Sequence, residues 1–344
     1  MMYGLDEVGL IPAIISDIKH RGDVNPFYGD KLPIFVAPMT CILGPENWKT
    51  FNDSSVIPIY PVRYDEARNV ENFEENDWSA LTLDEFKHYF NACNALEKRK
   101  YHILIDVANG HMQELYTCVR DAKQEYGDNL IVMIGNIANP EAYLECCKAR
   151  VDYVRVGIGG GSGCTTSVQT GIHASMPYIL EGIDNIKRHI RNHELSASFG
   201  GKHNNREIAA INGFRTKVVA DGGITTISRA IKALAMGADY VMMGRAFAEC
   251  KEACGVTLDD GYRRMYYGQS SKEGQMDRFG KVKANPEGTA IWVDVTTNLE
   301  EFTTKFAAAL RSAMSYCGAH NLEEFIGKVK YEYMSPVEFQ AYNK

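Results

Sequence analysis

Eight short apolar runs, separated by stretches with helical spacing, leave few folds open to this chain. They lie at Lys31–Met39 (KLPIFVAPM), Ser55–Pro61, Ser79–Leu83, His102–Val107 (HILIDV), Leu130–Gly135, Tyr153–Val156, Lys217–Ala220 and Tyr240–Met243. Their near-continuous Ile, Val and Leu content is that of strands buried on both faces. Helical patterns fill Leu83–Lys98, Met112–Tyr126, Pro140–Ala149 and Ile227–Met236. Strand–helix alternation implies a parallel sheet, and the count of eight predicts an α/β chain closed into a single (β/α)8 TIM barrel. A length of 344 residues suits one such domain with insertions.

In a barrel of this kind chemistry collects at the C-terminal ends of the strands. Polar and glycine groups stand there: Asp106, Asn136, Cys164, Asp221 and the pair Gly244-Arg245. The most pointed of these ends is Gly157-Ile158-Gly159-Gly160-Gly161-Ser162-Gly163-Cys164-Thr165-Thr166. Glycines let backbone amides approach an anion, and a thiol beside two threonine hydroxyls is placed like a nucleophile with proton partners. A flexible glycine loop carrying an incidental thiol is the competing reading of the same stretch. Gly222, Gly223, Gly244 and Arg245 follow the last two strands, where barrels commonly hold phosphate.

The acidic segment Asp65–Trp78 reads as a surface excursion. Residues Gly255–Gly288 lack a clear period and are expected to form a mobile flap over the mouth, with Arg278 as a surface charge. A helix over Leu299–Cys317 is expected to pack on the barrel exterior. The net charge of −7 and the absence of any Lys/Arg track argue against nucleic acid. No stretch has the length of a membrane span, and nine cysteines without metal-type spacing suggest reduced thiols in a cytoplasmic protein.

Several motifs, taken together, resemble the IMP dehydrogenase/GMP reductase family. They are Asp106-Val107-Ala108-Asn109-Gly110, the loop Gly157–Thr166, Val219-Ala220-Asp221-Gly222-Gly223, Gly237–Gly244 (GADYVMMG), Tyr266–Ser271 (YYGQSS) and Leu310–Ala319. The DGG and GADYVMMG pair also occurs in flavin-binding barrels; joined to the cysteine loop it is specific. The wording DVANG, and the lack of any inserted regulatory domain, make the chain most like the reductase branch.

The resemblance implies that Cys164 attacks purine C2 of GMP, ammonia leaves, and NADPH reduces the adduct to IMP. It further implies that Thr166 aids proton transfer and that Asp106, Asn109 and Gly110 dock the nicotinamide end. Ser162, Gly223, Gly244 and Tyr266 would meet the 5′-phosphate, Asp221 the ribose hydroxyls, and Gln269 and Ser270 the base edge through backbone groups. Carbonyls of Gly159, Gly161 and Cys164 would ligate potassium, and the assembly would be a homotetramer without membrane or nucleic-acid partners.

Departures from the pattern concentrate near the chemistry. Lys272 stands where the motif has Glu, so the relay carboxylate is Glu273 or is lost. Gly160 and Gly163 loosen the loop, and Arg278-Phe279 resembles the dehydrogenases' Arg-Tyr pair without its phenol. An IMP dehydrogenase, an FMN-dependent barrel oxidoreductase and a catalytically silent nucleotide-binding protein are the alternatives.

Overall fold

The structure is a computed structural model describing residues 3–63, 74–91, 99–198, 215–258, 261–335 and 337–338. A short strand β1 (Val8–Leu10) precedes the eight strands of the barrel: β2 (Ile34–Val36), β3 (Ile57–Tyr60), β4 (Trp78–Leu81), β5 (Tyr101–Asp106), β6 (Leu130–Ile137), β7 (Tyr153–Val156), β8 (Lys217–Asp221) and β9 (Tyr240–Met243). Each pairs in parallel with the next, and β2 closes on β9 with Phe35 opposite Met242. All eight expected strands are therefore present, and the fold is a (β/α)8 barrel. Most of the acidic excursion, and the end of the helix expected to reach Lys98, lie outside the described residues.

Around the barrel run α1 (Trp48–Asn52), α2 (Leu83–Phe90), α3 (Gln113–Tyr126), α4 (Ala142–Lys148), α5 (Thr166–Thr170), α6 (Met176–Ser198), α7 (Ile227–Ala235) and α8 (Arg245–Ala248). Thr82 and Glu85 start α2 with a reciprocal box: Glu85 N donates to Thr82 Oγ1 at 3.2 Å and Thr82 N to Glu85 Oε2 at 2.7 Å. Asp152 and Asp239, each just ahead of a strand, brace the N-terminal edge. The Asp152 carboxylate accepts from Val132 N and Lys123 Nζ, both at 2.8 Å, and Asp239 accepts from Val218 N at 2.7 Å.

Aromatic rings close the bottom of the barrel. Phe35 packs edge-on to Trp78 and Tyr153 at 5.4 and 5.8 Å, and Tyr153 meets Tyr240 at 5.6 Å. Trp78, Tyr153 and Tyr240 are the first residues of β4, β7 and β9, so the plug sits at the N-terminal end. Ligands then have access from the C-terminal mouth, where the polar groups gather.

The region after β9 corrects the expectation of an aperiodic flap. It contains β10 (Thr257–Leu258), β11 (Arg263–Tyr266), α9 (Lys272–Phe279) and β12 (Ile291–Asp294), with the three strands in one antiparallel sheet. Charged residues within a two-residue alternation hid the strands: Arg263 is exposed, while Arg264 is buried and donates to the carbonyls of Ala248 (2.8 Å), Cys250 and Lys251 (3.2 Å). That guanidinium fastens the flap sheet to the barrel.

Beyond it, α10 (Leu299–Tyr316) begins at an Asn298 side-chain cap. Then follow α11 (Leu322–Phe325) and β13 (Tyr331–Tyr333), which pairs antiparallel with β1 and ties the two ends of the described chain together. That ribbon was not anticipated, because each strand is only three residues long.

Phe35 is 1% exposed at the centre of the aromatic plug. Phe35→Ala is expected to cost roughly 3–5 kcal/mol, read as a lowered urea midpoint in equilibrium unfolding.

Candidate active site

Two glycines permit the wall of the mouth. A Cβ on Gly135, whose φ is +146°, would stand 2.6 Å from Arg155 Cβ, and one on Gly157, at φ +120°, would stand 2.1 Å from the Asp221 carbonyl oxygen. Without side chains at these points, β6, β7 and β8 come close enough for Arg155, Asn136 and Asp221 to meet. Asn136 Nδ2 donates to Asp221 Oδ2 and to the Gly157 carbonyl, both at 2.8 Å.

Asp106 ends β5 between two guanidiniums. Arg155 Nη2 donates to its Oδ1 at 2.7 Å, Arg278 Nη1 to its Oδ2 at 2.7 Å, and Arg278 Nη2 to its carbonyl at 2.6 Å. The side chains of Arg155, Asp106 and Arg278 are only 6, 10 and 10% exposed. Burial pushes the Asp106 carboxyl upward, but the charges of Arg278 and Arg155 outweigh it and hold the group below the usual aspartate range. For Asp221 burial prevails over Arg155 and Asn136, and the carboxyl is raised. Arg278 is thus no surface charge: α9 delivers it into the barrel mouth because a buried carboxylate waits there.

The cysteine loop carries its own chain of hydrogen bonds. Half-buried Cys164 donates from Sγ to Thr166 Oγ1 at 3.3 Å, and Thr166 Oγ1 donates to Glu287 Oε2 at 2.7 Å. Glu287 reaches this point because residues 287–289 pair antiparallel with the loop: Thr165 N donates to the Glu287 carbonyl and Thr289 N to the Gly163 carbonyl, both at 2.9 Å. A Cβ on Gly163 would stand 2.9 Å from the Thr289 carbonyl oxygen, so glycine there admits the returning strand. The carboxylate brought to Thr166 is therefore Glu287. Glu273 sits instead in the first turn of α9. Nothing in the local sequence sets Glu287 apart from other flap glutamates.

A cavity of about 670 Å³ opens beside these groups, within the span of small-molecule sites. Asp106, Asn109, Asp221, Gln269 and Ser270 line it, as do Arg155, Arg278 and Glu287. Cys164 does not; it connects to the lining residue Glu287 through the Thr166 hydroxyl. Gly222 and Gly223 line a separate hollow of about 300 Å³, which shares Asp221 with the first. Arg229 borders that hollow and donates to the Gly223 carbonyl at 3.0 Å while paired with Asp6.

Tyr266 and Gly244 meet: a Cβ on Gly244 would lie 3.0 Å from the Tyr266 hydroxyl. Ser162 is exposed at the loop tip, and Arg245 pairs with Glu249 at 3.0 Å. Gln269 donates to the Pro38 carbonyl, the Ser270 carbonyl accepts from Glu287 N at 3.1 Å, and Gly110 N donates to the Asn136 carbonyl at 2.8 Å. Asn109 Oδ1 takes the His111 amide at 3.1 Å. Within the loop, the Gly161 carbonyl accepts from Cys164 N at 3.0 Å, while Gly159 holds φ +80°.

The family description "IMP dehydrogenase / GMP reductase domain" matches residues 79–340. The chain belongs to this family. It is 27% identical to a GMP reductase of Helicobacter pylori over 355 residues, 96% of this chain and 95% of that protein. It is 28% identical to a GMP reductase of Streptococcus agalactiae over 337 residues, 94% of this chain and 92% of that protein. An inosine-5′-monophosphate dehydrogenase of Chlorobaculum parvum is 36% identical over 236 residues, 64% of this chain; the chain spans only 43% of that enzyme's length. This is a family of oxidoreductases that act on small purine nucleotides with a nicotinamide cofactor.

Arg278→Met removes one of the two partners of Asp106. It is expected to cost about 2–3 kcal/mol near neutral pH, less than the usual cost of stripping a buried charge of its sole partner, because Arg155 remains. The sign with pH follows from linkage. In the parent the lowered Asp106 contributes stability above the unfolded carboxyl's range, lost as pH falls through its folded value. In the variant the folded value rises, so the deficit shrinks toward about pH 4. Urea melts of both proteins at about pH 7 and about pH 4 measure that narrowing.

Proposed function

We propose that this chain is a GMP reductase, converting GMP to IMP and ammonia with NADPH through a covalent bond between Cys164 and purine C2. The hydrogen-bond chain Cys164–Thr166–Glu287 carries the reading, because its polarity runs from thiol through hydroxyl to carboxylate. In the reaction, the proton leaves Cys164 Sγ through Thr166 to Glu287, and the thiolate forms a C–S bond at C2. Glu287 returns the proton through Thr166 to the exocyclic amine, the C–N bond breaks, and ammonia departs. The reducing equivalents for C2, a hydride, would come from a reduced nicotinamide held beside Asp106, Asn109 and Gly110. The C–S bond then breaks, and the thiolate takes up a proton.

Overall GMP, NADPH and two protons give IMP, ammonium and NADP⁺. The cavity suits the dinucleotide's reactive end: it is large enough, and the buried Arg155 Nε, Arg278 Nε and Gln269 Oε1 on its lining residues lack partners among the described residues. Asp106, Asn109 and Gly110 would flank the nicotinamide. Asp221 would take the ribose diol, and Ser162, Gly222, Gly223, Gly244, Arg245 and Tyr266 the phosphate. Gly159, Gly161 and Cys164 offer carbonyl oxygens of the kind a potassium ion takes. The homotetramer and a cytoplasmic setting belong to the same proposal. Every described cysteine is a free thiol, which supports the reducing setting of a cytoplasm.

The dehydrogenase alternative needs a base that activates water against the adduct. Both terminal nitrogens of Arg278 are engaged by Asp106, one by the carboxylate and one by the carbonyl, and Phe279 has no phenol, which favours the reductase. Near end-to-end coverage of two GMP reductases supports the same choice.

Loss of nicotinamide absorbance with GMP and NADPH, together with released ammonia, tests the assignment. Consumption of IMP and NAD⁺ without ammonia would select the dehydrogenase. Cys164→Ala should abolish turnover and Glu287→Gln should lower kcat by about 10²–10⁴, whereas Glu273→Gln should stay within about twofold of the parent.

A further inference from the structure

Glu287 meets Thr166 only while its strand lies on the cysteine loop, and one exposed side chain spans the two. Gln169 on α5 donates from Nε2 to Thr165 Oγ1 at 2.9 Å and to the Pro286 carbonyl at 3.0 Å, while Asn285 Nδ2 donates to its Oε1 at 3.4 Å. The Pro286 carbonyl is acceptor-only, so the amide's N–H end must face it. Thr166 and Gln169 are three residues apart on one helical turn and share a face. One takes Glu287, and the other takes the residue before it. Proline at 286 contributes no N–H, which leaves this point of the strand without a backbone donor to give the loop.

We propose that Gln169 is a positioning residue that holds residues 285–287 in register, so that the Glu287 carboxylate stays on Thr166. The proposal rests on the relay reading above, but the clasp itself is a matter of chain position. The donor is the essential feature. Gln169→Glu keeps the size and turns an acceptor toward the Pro286 carbonyl; Gln169→Lys keeps donors that can reach both oxygens.

Steady-state kinetics with GMP and NADPH, paired with amide hydrogen exchange at Thr165 and Thr289, tests the proposal on the full chain. For Gln169→Ala and Gln169→Glu, kcat should fall about tenfold with KM for GMP changed less than about twofold, and both amides should exchange faster. Gln169→Lys should keep kcat within about threefold of the parent with exchange unchanged. Parent-like kcat in the Ala and Glu variants, or a loss shared by the Lys variant without faster exchange, would overturn the positioning role. If the parent itself does not turn over GMP, the functional reading fails by that result alone. The exchange rates still judge the clasp: faster exchange in Ala and Glu sustains it, and unchanged exchange removes it.

Discussion

A carboxylate buried in the mouth of a barrel is costly unless cations are brought to it, and Asp106 has two. Arg155 comes from the neighbouring wall, where Gly135 makes room for it. Arg278 comes from α9, beyond the last barrel strand, so the demand of one buried charge draws the flap helix across the opening. Next to it, Asp277 accepts from Thr40 Oγ1 at 2.5 Å and from the Tyr267 hydroxyl at 2.7 Å, which fixes the same helix on its other side. The flap's path back toward β12 is then confined to pass the cysteine loop.

That path turns a glycine loop into a site. Gln275 on α9 accepts the amides of Lys283 and Ala284 at 2.8 and 3.0 Å, steering the chain into the pairing that ends with Glu287 on Thr166. The thiol, hydroxyl and carboxylate come from two segments far apart in sequence and meet through backbone pairing. Across the cavity, Asp106 and Asp221 are pushed in opposite directions by the balance of burial and guanidinium charge. The site therefore presents one carboxylate between two guanidiniums and another held by the Asn136 amide with Arg155 at 3.8 Å, beside a hydrogen-bond chain that starts at sulfur.

Much of the barrel was legible because continuous apolar runs such as His102–Val107 and Lys217–Ala220 can only be buried strands, and the polar residues closing them had to face the mouth. The flap was legible only as an excursion. Its strands mix buried and exposed charges, as Arg263 and Arg264 do, and hydropathy averages them away. Arg278 looked solvated, and Glu287 went unnoticed, because the partners that bury or engage them, Asp106 and Thr166, are remote in sequence. Gly163 suggested looseness; in the fold it allows close approach by Thr289. Long-range ion pairs and backbone contacts leave no local period, and the meeting of Thr166 with Glu287 depends on them.

The central claim is that the Cys164 sulfur bonds to a purine carbon and expels ammonia with the help of Glu287. Intact-protein and peptide mass spectrometry after exposure to GMP without cofactor addresses it directly. The account predicts an added mass of GMP less ammonia, confined to the peptide bearing Cys164 and strongly reduced in Glu287→Gln. A protein whose mass is unchanged at saturating GMP, or whose adduct sits on another cysteine, would contradict it.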